Sequence, residues 1–431
     1  LLPGLRRPAP AHATMKSHLA KPGFVSYLAT LFLGALNDNV CKLLVICHVS
    51  LALGAESSSA AAFLSMAGAC FCLPYLLFSA LAGYLADRVS KKVVMVWTKV
   101  AEILIISVGA LFAIKGHPAA MLLVLFCMGT QSAFFAPAKY GFLPETNPPK
   151  RLAAANGATQ LCTFVAIIMG GWAGGAIAGI ETSFFSTFQG GMTICVFLAI
   201  LGTFTSLFIT PTRPHAANPE FRCLRIISPH IQALKERSHD KVLITAVIGN
   251  SLFWFLGTLA QLVLVQLVQI TLGGSDQMVG LVQAAMGLGI GLGCVVVASL
   301  AKGDIPYRLS IQGGLIMSAT LILLGFLGGI KPCAFVLTFT AGFFGGFYQL
   351  PLSTAIQHRS PEGSRGRLLA ATSALDSVAM LLGSLALWLL RLLHFGPRGI
   401  LALAGVMMFI LIYLIAPHLP ANRMQKVYRN G

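Results

Sequence analysis

Asn37, Asp38, Asn39 and Lys42 stand together in the stretch LFLGALNDNVCKLL, residues 31–44. Apolar residues flank them on both sides, from Phe24 to Thr30 and from Leu43 to Leu53, in a run long enough to cross a bilayer. An ionised group at that depth costs about 3 kcal/mol on insertion scales, so these side chains are expected to face a protein interior or a water-filled path. Asp38 and Lys42 are four residues apart and share a helix face, with the acid on the N-terminal side. One reading is a buried ion pair that fixes helix packing. The other is a polar substrate site, preferred because three consecutive polar residues spread over an arc too wide for one partner to satisfy. Asp38, Asn39, Lys42 and Asn37 are therefore the candidate substrate-binding group.

Two further sets of charges fall inside apolar runs. Lys99 and Glu102, three apart, read as an intramembrane pair whose members neutralise each other. Asp376 has no local partner: it either faces a cavity from the second half of the chain or, near the end of its span, lies at the membrane interface.

The elements that position these residues follow from composition. The chain has 431 residues, of which 56% are hydrophobic and only 10% charged, with mean hydropathy +0.82. A water-exposed surface needs more charge than that, so the sequence describes an all-α integral membrane protein. Windows of approximately 19 apolar residues give about twelve transmembrane helices: 24–53, 60–85, 93–114, 119–138, 155–179, 189–210, 243–271, 277–301, 309–330, 333–357, 367–393 and 398–416. The expected domains are a flexible basic N-terminal tail (1–22), a six-helix bundle (23–210), a cytoplasmic linker (211–241), a second six-helix bundle (242–417) and a cytoplasmic tail (418–431). Met15 is the expected start of translation.

Twenty-four of the thirty Lys and Arg fall in the termini and in loops on one side, while Lys115, Lys331, Arg391 and Arg398 occupy the other. By the positive-inside rule both termini are cytoplasmic. The net charge of +17 is thereby a matter of topology, and no nucleic-acid partner is expected. The ten cysteines lack metal-ligand spacing, with Cys70 and Cys72 the only close pair, so neither a metal site, a cofactor nor a disulfide framework is expected.

The long polar stretch from Pro211 to Lys241 divides the spans six and six. LAAANGATQ (Leu152 to Gln160) and LLAATSALD (Leu368 to Asp376) each follow an Arg and open a span, and upstream of each a polar loop is expected, led by Pro137 and by Pro351. Two such parallel halves resemble the major facilitator arrangement. The loop GYLADRVSKK, residues 83–92, resembles the best-known signature of that superfamily at Gly83, Asp87, Arg88, Lys91 and Lys92. The resemblance implies that Gly83 permits a close helix contact and that Asp87 latches onto a neighbouring helix end, holding one access state. A purely topological basic loop is the alternative.

LNDNVCK, FFAPAKYGFLPE (Phe134 to Glu145) and RLAAANG (Arg151 to Gly157) together resemble the bacterial lysophospholipid transporter family, found alone or as the N-terminal part of fused acyltransferase and acyl-carrier-protein ligase proteins. The resemblance implies inward transport of lysophospholipids across the inner membrane for reacylation, a monomer surrounded by membrane lipid, and an acyltransferase or ligase as a partner. For Lys139 two readings stand, a gating residue and a lysine that snorkels from the end of its span. The glycines of spans five and eight, Gly170, Gly171, Gly174, Gly175 and Gly179 against Gly287, Gly289, Gly291 and Gly293, are expected to let those two spans cross closely. No Pro occurs between Gly157 and Gly179, unlike the drug/proton antiporters of the superfamily.

An enzyme reading has little to stand on. Glycerolipid acyltransferases use a His with an Asp five positions on, and among the ten histidines His215 with Glu220 comes nearest. A carrier of another small polar solute remains the alternative within the transporter class; a charged end with an apolar flank suits a one-chain lipid better.

Overall fold

A computed structural model describes residues 22–53, 58–113, 118–178, 187–214, 228–301 and 304–420. The basic N-terminal tail, most of the linker with Cys223, Gly303 and the residues after 420 lie outside the described residues.

The first six spanning helices are α1 (Pro22–Leu53), α2 (Ser58–Arg88), α3 (Lys91–Ala113), α4 (Pro118–Thr146), α5 (Pro149–Ala178) and α6 (Thr187–Ser206). A short helix, α7 (Ser228–Lys235), lies in the linker. Six more follow: α8 (Lys241–Gln266), α9 (Asp276–Leu300), α10 (Tyr307–Leu327), α11 (Lys331–Arg359), α12 (Arg365–Leu392) and α13 (Pro397–Ile415). Twelve of these are long and apolar enough to cross a membrane. Helices are the open-ended solution for a chain in lipid because each backbone N–H finds its acceptor within the same segment.

Large apolar side chains point outward, among them Trp97, Trp172, Phe326 and Trp388, as a lipid-facing surface requires. Between helices there is no water to exclude, so association rests on close approach and polar contacts. The Ser310 hydroxyl donates to the Tyr348 carbonyl at 2.7 Å, Ser318 to Gly405 at 2.8 Å, and the Tyr348 hydroxyl to Gly249 at 3.0 Å.

Two expectations change. The stretches led by Pro137 and Pro351 are not loops: both prolines, with Pro74 and Pro144, sit inside helices. A proline inside a spanning helix is tolerated because neighbouring helices and local adjustment satisfy the freed carbonyl. Helices α5 and α9 do cross closely, as expected, but their glycine faces are divided rather than shared. Gly287 and Gly291 do meet α5, at Ile168 and Leu161, but Gly170 and Gly174 meet α1 at Leu36 and Val40, and Gly289 and Gly293 meet α11 at Phe339 and Phe343. Within the linker, α7 docks against the first bundle. His230 is buried there, 3.1 Å from the Ser79 hydroxyl of α2, and burial holds its imidazole below the ordinary value.

Alternation of the helices places the start of α1, the end of α2, the start of α12 and the end of α13 on one side. That side is the terminal side.

Candidate substrate-binding site

A cavity of about 390 Å³ lies between the two halves, lined from α1 by Asp38, Asn39 and Lys42, from α3 by Lys99, from α4 by Gln131, Ser132 and Lys139, and from α12 by Asp376. Much of the remaining wall is apolar or aromatic, with Leu31, Phe71, Phe135, Ile167, Trp254 and Met380.

Its charges are separated. Asp38 Oδ2 accepts from the Ser132 hydroxyl at 3.1 Å, and its other oxygen is buried with no donor. Lys42 lies 5.6 Å from the centroid of the Phe71 ring, and no ion pair joins it to Asp38. The shared helix face does not by itself close the gap, because the carboxylate turns toward α4. Asn39 donates to the Ala35 carbonyl at 2.7 Å. Lys139 is no snorkelling residue: it lines the cavity, donates to the Thr163 hydroxyl at 3.2 Å and sits 5.1 Å from the Tyr140 ring. Helix α4 runs on to Thr146, which leaves Lys139 two turns short of the helix end. Asp376 also reaches the cavity, its two oxygens held by Asn250 Nδ2 at 2.9 Å and the Ser251 hydroxyl at 2.7 Å.

Asn37 is not brought to this cavity. It is fully buried and donates to Glu102 Oε1 at 2.6 Å. One residue along a helix is a turn of 100°, enough to aim it at α3 while Asp38 faces the cavity. Glu102 also pairs with Lys99, whose ammonium reaches the cavity wall beside the Phe135 ring.

Polar contacts between the halves close the cavity on the terminal side. Asp87 accepts the backbone N–H groups of Gly366 and Arg367, and Gly83 lies so close to α12 that a Cβ there would come within 2.6 Å of the Ala370 methyl. Arg88 is exposed and stacks on Tyr84 at 4.9 Å, taking no part in that contact. Lys91, completely buried, pairs with Glu145 at 2.6 Å, and Arg365 approaches the same carboxylate at 3.8 Å. Asn156 and Gln357 exchange amide hydrogen bonds of 3.0 and 2.8 Å between α5 and α11. Sequence reasoning missed Glu145, Arg365, Gln131, Asn156 and Gln357. Glu145 could have been found as a lone acid at the end of a span among basic loop residues.

The sequence model of the Major Facilitator Superfamily matches residues 24–384. The chain belongs to that superfamily. Curated relatives include the lysophospholipid transporter LplT of Cronobacter sakazakii, 27% identical over 364 residues, covering 84% of this chain and 86% of the relative. The protein of the same name from Yersinia pestis is 26% identical over 368 residues, with 84% and 85% covered. Among solved structures, the human organic anion transporter MFSD10 superposes with a TM-score of 0.76 at 14% identity, covering 91% of this chain and 99% of that one. The transporter FucP in the outward conformation gives 0.73 at 13% identity, covering 92% and 98%. As a facilitator-superfamily member the chain is a multi-pass membrane transporter and not an enzyme.

Proposed function

We propose that this chain moves lysophospholipids, lysophosphatidylethanolamine among them, across a bacterial inner membrane to the cytoplasmic leaflet by alternating access, with the terminal side cytoplasmic. The observation that carries this reading is the pairing of unneutralised charges of both signs in one cavity with an apolar wall. Among the described residues, Lys42 and Lys139 have only hydroxyl or ring partners, and Asp38 and Asp376 only hydroxyl and amide ones. Such charges are costly unless a ligand or water meets them. A phosphate can take the ammonium groups as point charges, and an ethanolamine ammonium can donate to a carboxylate. The names of the relatives from Cronobacter sakazakii and Yersinia pestis favour the same substrate class. The bias of Lys and Arg toward one side supports the orientation. The transporter acts as a monomer in this reading, and a separate or fused acyltransferase or ligase reacylates what it delivers.

The substrate sites keep Asp38, Asn39, Lys42 and Asp376, with Asn37 acting one step removed by holding Glu102. Gly83, Asp87 and Lys139 retain a role in gating, with Lys139 also bordering the headgroup, while Arg88, exposed against Tyr84, drops out of the latch. The test is uptake by purified protein in liposomes of three probes: lysophosphatidylethanolamine, intact phosphatidylethanolamine and a neutral sugar. Uptake of the lysolipid alone supports the proposal. Uptake of the sugar in preference would replace it with an ordinary solute carrier.

A further inference from the structure

A second hollow, about 590 Å³, lies on the outer face of the first bundle between α2, α3 and α4, and its walls are almost wholly apolar: Phe78, Trp97, Ala101, Ile105, Phe126 and Phe134 take part. Gln131 of α4 lines both this groove and the polar cavity. It is 5% exposed, and its Oε1 is buried with no hydrogen-bond donor. The assignment of oxygen and nitrogen follows from the network. The Ser132 hydroxyl gives its one proton to Asp38, so Gln131 has to donate Nε2–H to the Ser132 oxygen, at 3.1 Å. Oε1 is then left as a buried, unmatched acceptor on a residue that borders both spaces.

Resting on the lysophospholipid reading above, we infer that the glycerol of the substrate sits at Gln131, its free hydroxyl donating to Oε1, with the acyl chain in the apolar groove of α2, α3 and α4. The order of parts in the lipid matches the order of parts in the protein. The headgroup needs charge, the chain needs an apolar wall, and the glycerol between them needs to stand where the two spaces share a residue. The free hydroxyl is also what a lysophospholipid has and an intact phospholipid lacks. A second ester at that position accepts hydrogen bonds and cannot donate, so it leaves Oε1 unmatched and adds a chain for which the groove has no second place. A buried acceptor left without its donor carries a desolvation cost, which makes Gln131 a determinant of specificity.

The experiment uses the full chain in liposomes with two probes of equal charge and chain length: lysophosphatidylethanolamine and its deoxy analogue, in which hydrogen replaces the free hydroxyl. The wild type is expected to take up the hydroxyl-bearing lipid roughly ten-fold better. Gln131→Leu is expected to erase that preference by slowing the hydroxyl-bearing lipid alone. Equal uptake of both probes by the wild type, or a preference that survives in Gln131→Leu, would overturn the inference. The wild-type comparison requires no variant to fold. Ala101→Phe adds an independent arm, since it narrows the groove and leaves Gln131 in place. It should slow long-chain lysolipids several-fold more than short-chain ones, and an equal effect on both would remove the groove from the proposal. Uptake of neither lysolipid by the wild type would instead overturn the functional reading on which the inference rests.

Discussion

The carboxylate of Asp87 accepts the backbone N–H of Gly366 at 2.6 Å and that of Arg367 at 3.1 Å, so a side chain of α2 caps the first turn of α12 in the other half. The first N–H groups of a helix have no partner within it, and the helix dipole favours negative charge there. Asp87→Asn keeps one acceptor oxygen and loses the charge. It should weaken the closure by about 1 to 2 kcal/mol, which raises the population open on the terminal side roughly ten-fold. Labelling of a cysteine placed at Ser373, in the cavity wall, reads this directly, and unchanged labelling would rule out the latch.

A second closure is neutral. Asn156 and Gln357 exchange hydrogen bonds as a reciprocal amide pair, and Asn156 Nδ2 also lies 3.4 Å from the Thr354 hydroxyl. Asn156→Ala and Gln357→Ala should each ease opening, and the double variant should add little beyond either one. The expected coupling is about 1 kcal/mol. Additive effects on the same labelling rate would show that the two amides act separately.

The spans, their number and the placing of Asp38 and Lys42 were legible because cost in lipid is local: a charge in an apolar run must face inward whatever surrounds it, whereas Asp376 stayed open between cavity and interface. Direction within the interior was less legible. Asn37 and Asp38 are neighbours of similar shape, and only the position of Glu102 on α3 decides that Asn37 turns away. Gln131 carries no charge, so nothing in its sequence neighbourhood marks it out; its meaning comes from Ser132 consuming its donor and from two spaces meeting at one residue. Lys91 and Glu145 lie in separate motifs and become a pair only when α3 and α4 pack. The loops expected at Pro137 and Pro351 failed for another reason, since a rule for helices in water was applied to helices whose neighbours supply what proline removes.

Asp240 carries a pH prediction. Burial alone would raise its carboxyl, but the Leu243 N–H at 3.1 Å and the two contacts of Arg359, at 2.8 and 3.0 Å, outweigh it and hold the group below its usual range. A carboxyl lowered by folding contributes stability above its unfolded value, near 3.9, and loses it as pH falls through the folded value. Asp240→Asn retains a capping oxygen, so the loss near neutral pH should be under about 1 kcal/mol for a pair still partly open to solvent. The gap in melting temperature between wild type and variant should be full at neutral pH and shrink below about pH 4. A gap that widens on acidification would contradict the arrangement around Asp240.

Asp38 and Lys42 supply the last prediction, because their separation changes what a double variant should do. If they neutralised each other, removing one would strand a buried charge and lower stability by several kcal/mol, and removing both would restore it. In the structure Asp38 is held by Ser132 on α4 and Lys42 by the Phe71 ring on α2, with no ion pair between them. Asp38→Asn and Lys42→Met should therefore shift stability almost independently, with a coupling within about 0.5 kcal/mol. Uptake of lysophosphatidylethanolamine should fall at least ten-fold in each, since each removes a different charge-assisted contact to the headgroup. The double variant should stay inactive, because it lacks both contacts. Melting temperature and uptake are scored separately across the four proteins. Uptake restored in the double variant would make the two residues partners of each other, and would remove them from the substrate site.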